Sequence, residues 1–414
     1  MQDAAVKSAP KSTEFPDKSR AARWSLPPGA MAVFSFVAAI LVAASSGAPT
    51  PLYRLYQQQM HLTPLLITIV FSVYAVSLLA ALLTVGGLSD YIGRRPVILA
   101  ALVLNVAAMV LFATAADVTE LILARAVQGV CVGAATTALG AAILDTSRVR
   151  GPLLNSVTTF LGLMVGSLGT AVLVRFAPDP MHLIFEILSA LTLLMIALLW
   201  AMPETAGGKA GALSSLRPHI SVPPQSKATL LRLTPANVAS WSLGAFYLSL
   251  MPAVVATAIG VASPLVGGAV VATLMGTGAI AVATFRAWPV RRLLLTGTGA
   301  LSFGVAVSLL GIAQQQVGSL LAGTVIAGLG FGANFSGTLR SLLPTAHPDQ
   351  RAGLLSAFYV QSYLAFSLPA VAAGLSVPLI GLSTAAYVYG AVVILLALIS
   401  MIASLWTQPA TCAA

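Results

Sequence analysis

Charge is what this sequence has least of. Acidic and basic side chains make up 8% of its 414 residues, against roughly a quarter in a soluble domain, so most of the chain cannot face water. Acids are scarcer still, 11 Asp and Glu against 21 Lys and Arg. The two cysteines, Cys131 inside an apolar run and Cys412 in the tail, are too far apart to form a disulfide framework or a metal knuckle. All four histidines, His61, His182, His219 and His347, lie at or beyond the ends of apolar runs, and no H-E-x-x-H occurs. An intramembrane enzyme would need paired carboxylates, a nucleophile with its base, or metal-ligand spacing. None is present, so neither an enzyme nor a cofactor nor a metal site is expected. The net charge of +10 does not indicate nucleic acid, because the basic residues occupy short gaps between apolar runs instead of clustering on a water-exposed face.

Long apolar runs take the place of charge: 58% of the chain is hydrophobic. Runs of about 20 residues, the length that crosses a bilayer as a helix, fall near 30–49, 64–86, 96–115, 120–144, 152–174 and 181–202. A stretch rich in Gly, Ser, Pro and Lys follows, and six more runs come near 233–257, 263–285, 293–312, 317–340, 352–376 and 380–406. The expectation is an all-α membrane protein of twelve spans in two pseudo-symmetric six-helix bundles. Its divisions are an N-terminal tail (1–29), a first bundle (30–203), a central loop (204–232), a second bundle (233–406) and a C-terminal tail (407–414). The basic N-terminal stretch and the small residues near Ala43 to Ala48 also fit a signal peptide. An uncleaved first span is the expectation, since many spans follow it.

Basic residues set the orientation. With the N-terminus cytoplasmic, the inside segments hold Lys7, Lys11, Lys18, Arg20, Arg23, Arg94, Arg95, Arg148, Arg150, Lys209, Arg217, Lys227, Arg232, Arg286, Arg291, Arg292, Arg340 and Arg351. Outside there remain Arg54 and Arg175, and Arg125 lies within a span. Both termini are therefore expected in the cytoplasm, and the bilayer is expected to be the inner (plasma) membrane. The halves read as repeats about two hundred residues apart. Arg94-Arg95 aligns with Arg291-Arg292, Gly129 and Gly133-Ala134 with Gly328 and Gly332-Ala333, and Arg150 with Arg351; Ala287 stands where Asp90 would be.

Gly86-Gly87-Leu88-Ser89-Asp90-Tyr91-Ile92-Gly93-Arg94-Arg95 must be a tight turn at a membrane surface, because apolar runs flank it on both sides. It resembles the signature loop between helices 2 and 3 of the major facilitator superfamily of secondary transporters, G-x-x-x-D-(R/K)-x-G-R-(R/K). Tyr91 departs by lacking the basic residue. Arg125, with Gln128, Gly129 and Gly133, resembles the helix-4 pattern R-x-x-Q-G-x-x-x-G of the same superfamily, which implies an arginine lining the central cavity and linked to proton coupling. An arginine within a span costs about 3 kcal/mol on insertion scales, which calls for a bundle interior or a wet cavity; snorkelling at the outer end of the helix is the alternative. Gly162, Gly166 and Gly169 resemble the antiporter motif of the drug-exporting branch, but Ser167 replaces its proline. Close helix packing explains such spacing equally.

Glu186 is the one carboxylate well inside a predicted span, with His182 one turn before it. It fits a proton carrier, and it also fits an ion pair at the rim. The resemblance further implies that Asp90 faces the N-terminal end of helix 11, beyond Pro348-Asp349, while Arg94 reaches Asp145. A carboxylate at a helix start gains up to about 1 kcal/mol, so both contacts would bias two conformations of the seam. Candidates for a pocket are Tyr74, Asn105, Tyr247, Asn334, Tyr359, Gln361 and Tyr363, with the last three clustered on helix 11. The expectation is a monomeric transporter working by alternating access on a small amphipathic or lipophilic solute, driven by protons. Efflux is the favoured direction and import by symport the alternative.

Overall fold

The computed structural model describes residues 27–147, 149–261 and 263–406. Lys7, Lys11, Lys18, Arg20, Arg23, Arg148, Cys412 and the tail from 407 lie outside the described residues. Among the described residues the backbone is helical, joined by short turns and by one longer loop between Leu199 and Pro224, and holds no strand. In chain order the α-helices are α1 (Pro28–Gly47), α2 (Tyr53–Met60), α3 (Pro64–Val85), α4 (Ser89–Ile92), α5 (Arg94–Thr114), α6 (Val118–Thr146), α7 (Gly151–Phe176) and α8 (Pro180–Leu199). After them come α9 (Ala212–Ser215), α10 (Pro224–Ser249), α11 (Met251–Thr257), α12 (Pro264–Thr284), α13 (Val290–Ala313), α14 (Val317–Leu342), α15 (Arg351–Ile380) and α16 (Leu382–Trp406).

Eleven of these are long and apolar enough to cross a membrane, and α10 with α11, bent by 56° at the break between them, brings the number to twelve when the pair is taken as one span. The seventh span is therefore broken where the sequence suggests a continuous run. Pro252 lies in the first turn of α11, and a proline has no N–H to continue the ladder of the preceding turn. The span also starts earlier than its hydropathy suggests, since α10 begins at Pro224, inside the expected central loop. Helix starts follow local chemistry: Pro64 occupies the first turn of α3 while Thr63 accepts from the Leu66 amide. At α6, Asp117 accepts from the Glu120 N–H at 2.9 Å, and Glu120 reaches back to the Ala116 N–H at 2.6 Å.

The first bundle comprises α1, α3 and α5 to α8; the second comprises α10 with α11 and α12 to α16. Their internal packing repeats. In the first, Gly129 and Gly133 of α6 lie against Tyr74, Leu78 and Ala81 of α3; in the second, Gly328 and Gly332 of α14 lie against Leu274, Gly278 and Ala281 of α12. A methyl group on Gly129 would run into the Ser77 hydroxyl, and one on Gly328 into the Thr277 hydroxyl. Both hydroxyls turn back to their own helix, Ser77 to Val73 and Tyr74, Thr277 to Thr273 and Leu274. Small residues let the backbones approach where lipid supplies no hydrophobic drive between helices. On this register Thr324 stands where the first bundle has Arg125.

The bundles meet along α3 with α15 and along α7 with α12. Ser72 donates to the Ser367 carbonyl at 3.4 Å, Gly374 lies against Thr68, and Phe71 meets Phe366 with centroids 4.9 Å apart. On the other side Gly268 packs on Ser167 and Ala171, and Gly278 on Phe160. Thr50 donates across the seam to the Leu248 carbonyl at 3.0 Å. Among the described residues, the hydrogen bonds made directly between the two bundles lie near mid-depth or in the half of the molecule away from the Asp90 turn, and the ring contacts reach no nearer the turn than Phe160 with Phe335, somewhat past the middle of α7 and α14. The seam is thus shut on that far side.

Candidate functional site

The Asp90 turn folds around a single arginine. Gly93 takes φ of +101°, open to glycine at no steric cost, and this reverses the chain so that α5 starts at Arg94. The Arg94 side chain, 9% exposed, donates to Asp90 at 2.5 Å, to the Ser89 hydroxyl at 2.7 Å and to Asp145 of α6 at 3.0 Å. Asp90 is 54% exposed and Asp145 34%, so Asp145 forms the better-shielded pair. Glu204, after α8, accepts from the Arg94 and Arg95 amides at 2.7 and 3.0 Å and so places a carboxylate at the positive end of α5. Its oxygen sits where a Gly93 methyl would be. The Arg95 side chain donates to the Trp200 carbonyl at 3.2 Å. Gly86 and Leu88 shape the turn from α3 into α4.

The resemblance implies a contact from Asp90 to the N-terminal end of α15 in one of the two conformations of the seam, and in the described arrangement other partners occupy both sides. Asp90 hydrogen-bonds to Arg94, while Ser221 of the central loop donates its N–H to the Gly353 carbonyl at 3.3 Å and His219 lies against Gly353. With the seam shut on the far side, the start of α15 is covered by the loop instead of the turn. The same loop is tied to the turn through the Lys209 N–H, 2.7 Å from the Tyr91 carbonyl.

Arg125 lies in α6 about 10 Å below the helix start, and at 1% exposure it does not snorkel. It donates to the Ser46 carbonyl at 3.1 Å, to Gln128 Oε1 at 2.6 Å and to the Tyr53 hydroxyl. Gln128 passes the contact on, donating to the Ser45 carbonyl at 2.9 Å. The guanidinium carbon lies 5.5 Å from the ring centres of Tyr53, Tyr74 and Phe112, contacts worth about 0.5 to 2 kcal/mol each. No carboxylate joins it: the ion pairs among the described residues are Arg94 with Asp90, Arg94 with Asp145, and His182 with Asp179. Its Nε and the Tyr56 hydroxyl are buried without a partner. Burial raises the pKa of the Tyr53 and Tyr56 phenols, with the Arg125 charge pulling each partly back, so both stay neutral and cannot balance the cation. Arginine does not give up its proton. An anion brought to about 4 Å would gain about 4 kcal/mol at an effective dielectric of about 20.

An aromatic cluster lies at the seam close to this cation. The Tyr74 ring lies 5.5 Å from the guanidinium carbon, and Phe71, one turn earlier on α3, meets Phe366 of the cluster at 4.9 Å. Tyr363 meets Trp241 at 5.0 Å and Tyr359 at 6.3 Å, and Trp241 meets Phe366 at 5.7 Å. Deeper along the seam Phe160 meets Phe331 at 5.3 Å and Phe335 at 5.7 Å. Polar groups flank the cluster. Gln361 donates to Thr234 at 2.6 Å and accepts from Asn237 at 3.2 Å, and Asn334 donates to Ser240 at 3.4 Å while its carbonyl oxygen has no partner.

The profile of the Major Facilitator Superfamily matches residues 35–288. The chain belongs to that superfamily. Solved structures agree with the fold. The nucleoside transporter NupG, solved as a point mutant, superposes with a TM-score of 0.70 at 12% identity, covering 90% of this chain and 99% of its own. The human organic anion transporter MFSD10 (TETRAN) gives 0.64 at 17% identity, covering 91% and 100%. No curated protein matches the sequence.

Set on this superfamily frame, the sequence candidates divide. Tyr74, Tyr359 and Tyr363 come together with Trp241 and Phe366, which sequence reasoning missed. Asn105 and Tyr247 do not join them: Asn105 is fully buried between Ser45 and Thr192, and Tyr247 is bonded to Thr324 and Ser308. Glu186 does not join them either. It lies exposed on α8, and His182 pairs with Asp179 at 2.9 Å instead, because Phe185 and Leu188 take the inward face of that helix. Gly162 and Gly166 pack α7 on Ala43, Ala44 and Ile40 of α1, whereas Gly169 touches nothing. Tyr53 and Glu204 were also missed. Tyr53 lies on α2, too short and polar to register as a span, and Glu204 sits in what reads as the start of a loop.

Proposed function

We propose that this superfamily member is a secondary active transporter that carries a small amphipathic organic solute across the inner (plasma) membrane by alternating access, exporting it in exchange for protons. The observation that carries this reading is the one-sided seam: two repeated bundles, held together in the far half and unjoined by direct contacts near the Asp90 turn, with an aromatic cluster at mid-depth. Rocking about that cluster would open the far side and bring the turn against α15. The segregation of the basic residues supports a cytoplasmic turn, and on that reading the described arrangement is the one shut to the outside. There the Arg94 bonds to Asp90 and Asp145 survive while the contact from Asp90 to α15 is absent, and the latter would form only when the seam reverses. Both solved relatives bear the names of transporters, for solutes as unlike as nucleosides and organic anions, which supports transport without fixing the solute. Proton coupling is supported by the resemblance of the Arg125 helix to the superfamily pattern.

The test is flux in proteoliposomes under an imposed pH gradient, with a panel of aromatic acids, amides and amines and an internal pH dye. Export predicts uphill solute movement against an opposing proton flow. Movement of both in one direction makes the protein a symporter, equilibration without regard to the gradient removes coupling, and no flux removes the transport reading.

A further inference from the structure

Resting on the transporter reading, we infer that the solute is an organic anion with an aromatic or apolar body, and that its negative group is bound by Arg125. Among the described residues the membrane-embedded core holds one positive charge with no acid to balance it. Its neighbours are carbonyls, a carboxamide and neutral phenols, which solvate a guanidinium without cancelling its charge. Two buried donors are left without a partner, Arg125 Nε and the hydroxyl of Tyr56, one turn along α2 from the Tyr53 that Arg125 holds, and a carboxylate oxygen is a group that accepts from such donors. The body of such a molecule has a place one step away, since Tyr74, against the guanidinium, is one turn of α3 from Phe71, which meets Phe366 of the ring cluster of Tyr363 and Trp241. Beyond Tyr53 the next residue, Arg54, lines a cavity of about 170 Å³ at the far end of the seam, between α2 and Pro252, Ala256 and Gly267. A cation therefore continues the same path toward the far face. Among the described residues the second bundle holds no counterpart of this cation: Thr324 takes the place of Arg125 and is bonded to Tyr247.

The experiment uses the purified full chain in detergent with naphthoate and phenylacetate, their amides, and naphthylmethylamine, read by calorimetric titration. The carboxylates are expected to bind about tenfold or more tightly than the amides, with the amine not binding. Arg125→Gln should bring the carboxylates to the level of the amides, while Arg125→Lys keeps a preference. If Arg125→Gln is not recovered folded, Tyr56→Phe must weaken the carboxylates and leave the amides unchanged. Equal binding of amides or of the amine, a preference that survives Arg125→Gln, or no carboxylate binding overturns the inference. Flux of the same probes separates it from the reading beneath it. Carboxylate binding without flux removes the transporter and leaves the site, whereas flux that favours amides or amines keeps the transporter and removes the site.

Discussion

Arg125 donates to the hydroxyl of Tyr53, 72 residues earlier in the chain, and so fastens the short helix after the first span to the middle of the first bundle. Removing that hydroxyl leaves a buried guanidinium with one acceptor fewer, a loss of about 1 to 3 kcal/mol. Tyr53→Phe should therefore lower the thermal unfolding temperature in detergent and reduce solute flux, and an unchanged melting temperature would show that the bond carries no weight.

The neighbouring phenol should behave in the opposite way. The Tyr56 hydroxyl has no partner, so Tyr56→Phe should leave stability at neutral pH unchanged or raise it. Burial holds the Tyr56 phenol above its ordinary pKa of 10.0. A raised folded value means that its stability contribution is complete below pH 10 and is lost as pH climbs toward the folded value. Unfolding curves taken across the alkaline range should fall more steeply for the wild type than for the variant.

At the turn, the two acids on Arg94 should not be equal. Asp145 is the better shielded, and Asp145→Asn should cost about 1 to 3 kcal/mol, whereas Asp90→Asn should cost about 0 to 1 kcal/mol in this conformation. A double-mutant cycle with Arg94→Gln, read by thermal unfolding, checks the order.

Glu204→Gln should loosen the start of α5. Losing a charged cap costs about 1 kcal/mol, and amide exchange at Arg94 and Arg95 should accelerate while exchange deep in the bundles is unchanged. Protection that stays the same at both amides would mean that the loop does not hold the turn.

Glu186→Gln should leave the ratio of protons to solute as it is in proteoliposomes, because the side chain lies exposed on α8 while the neighbouring Phe185 takes the inward face. A changed ratio would return Glu186 to the pathway.

Much of the frame was legible because lipid imposes it. Lengths near 20 apolar residues, glycines repeated at Gly129 and Gly328, and basic residues crowded at one set of loops are requirements of the bilayer written directly as composition. What was hidden depends on which face of a helix turns inward. Glu186 and Arg125 look alike as lone charges in apolar runs, and only the packing of Phe185 and Leu188 sends the first outward. The bend at Leu250 and the extension of α10 back to Pro224 were equally invisible to hydropathy, which does not register where a backbone N–H goes missing. Trp241 and Phe366 read as ordinary apolar residues until the two bundles bring them to a common seam.

One asymmetry in the repeat also bears on energetics. Since Thr324 replaces arginine in the second copy, a membrane voltage can pull on the interior of the first bundle and finds no buried charge to grip among the described residues of the second. Any electrical sensitivity of the rocking motion must then arise from one half of the molecule, together with whatever charge the passenger brings.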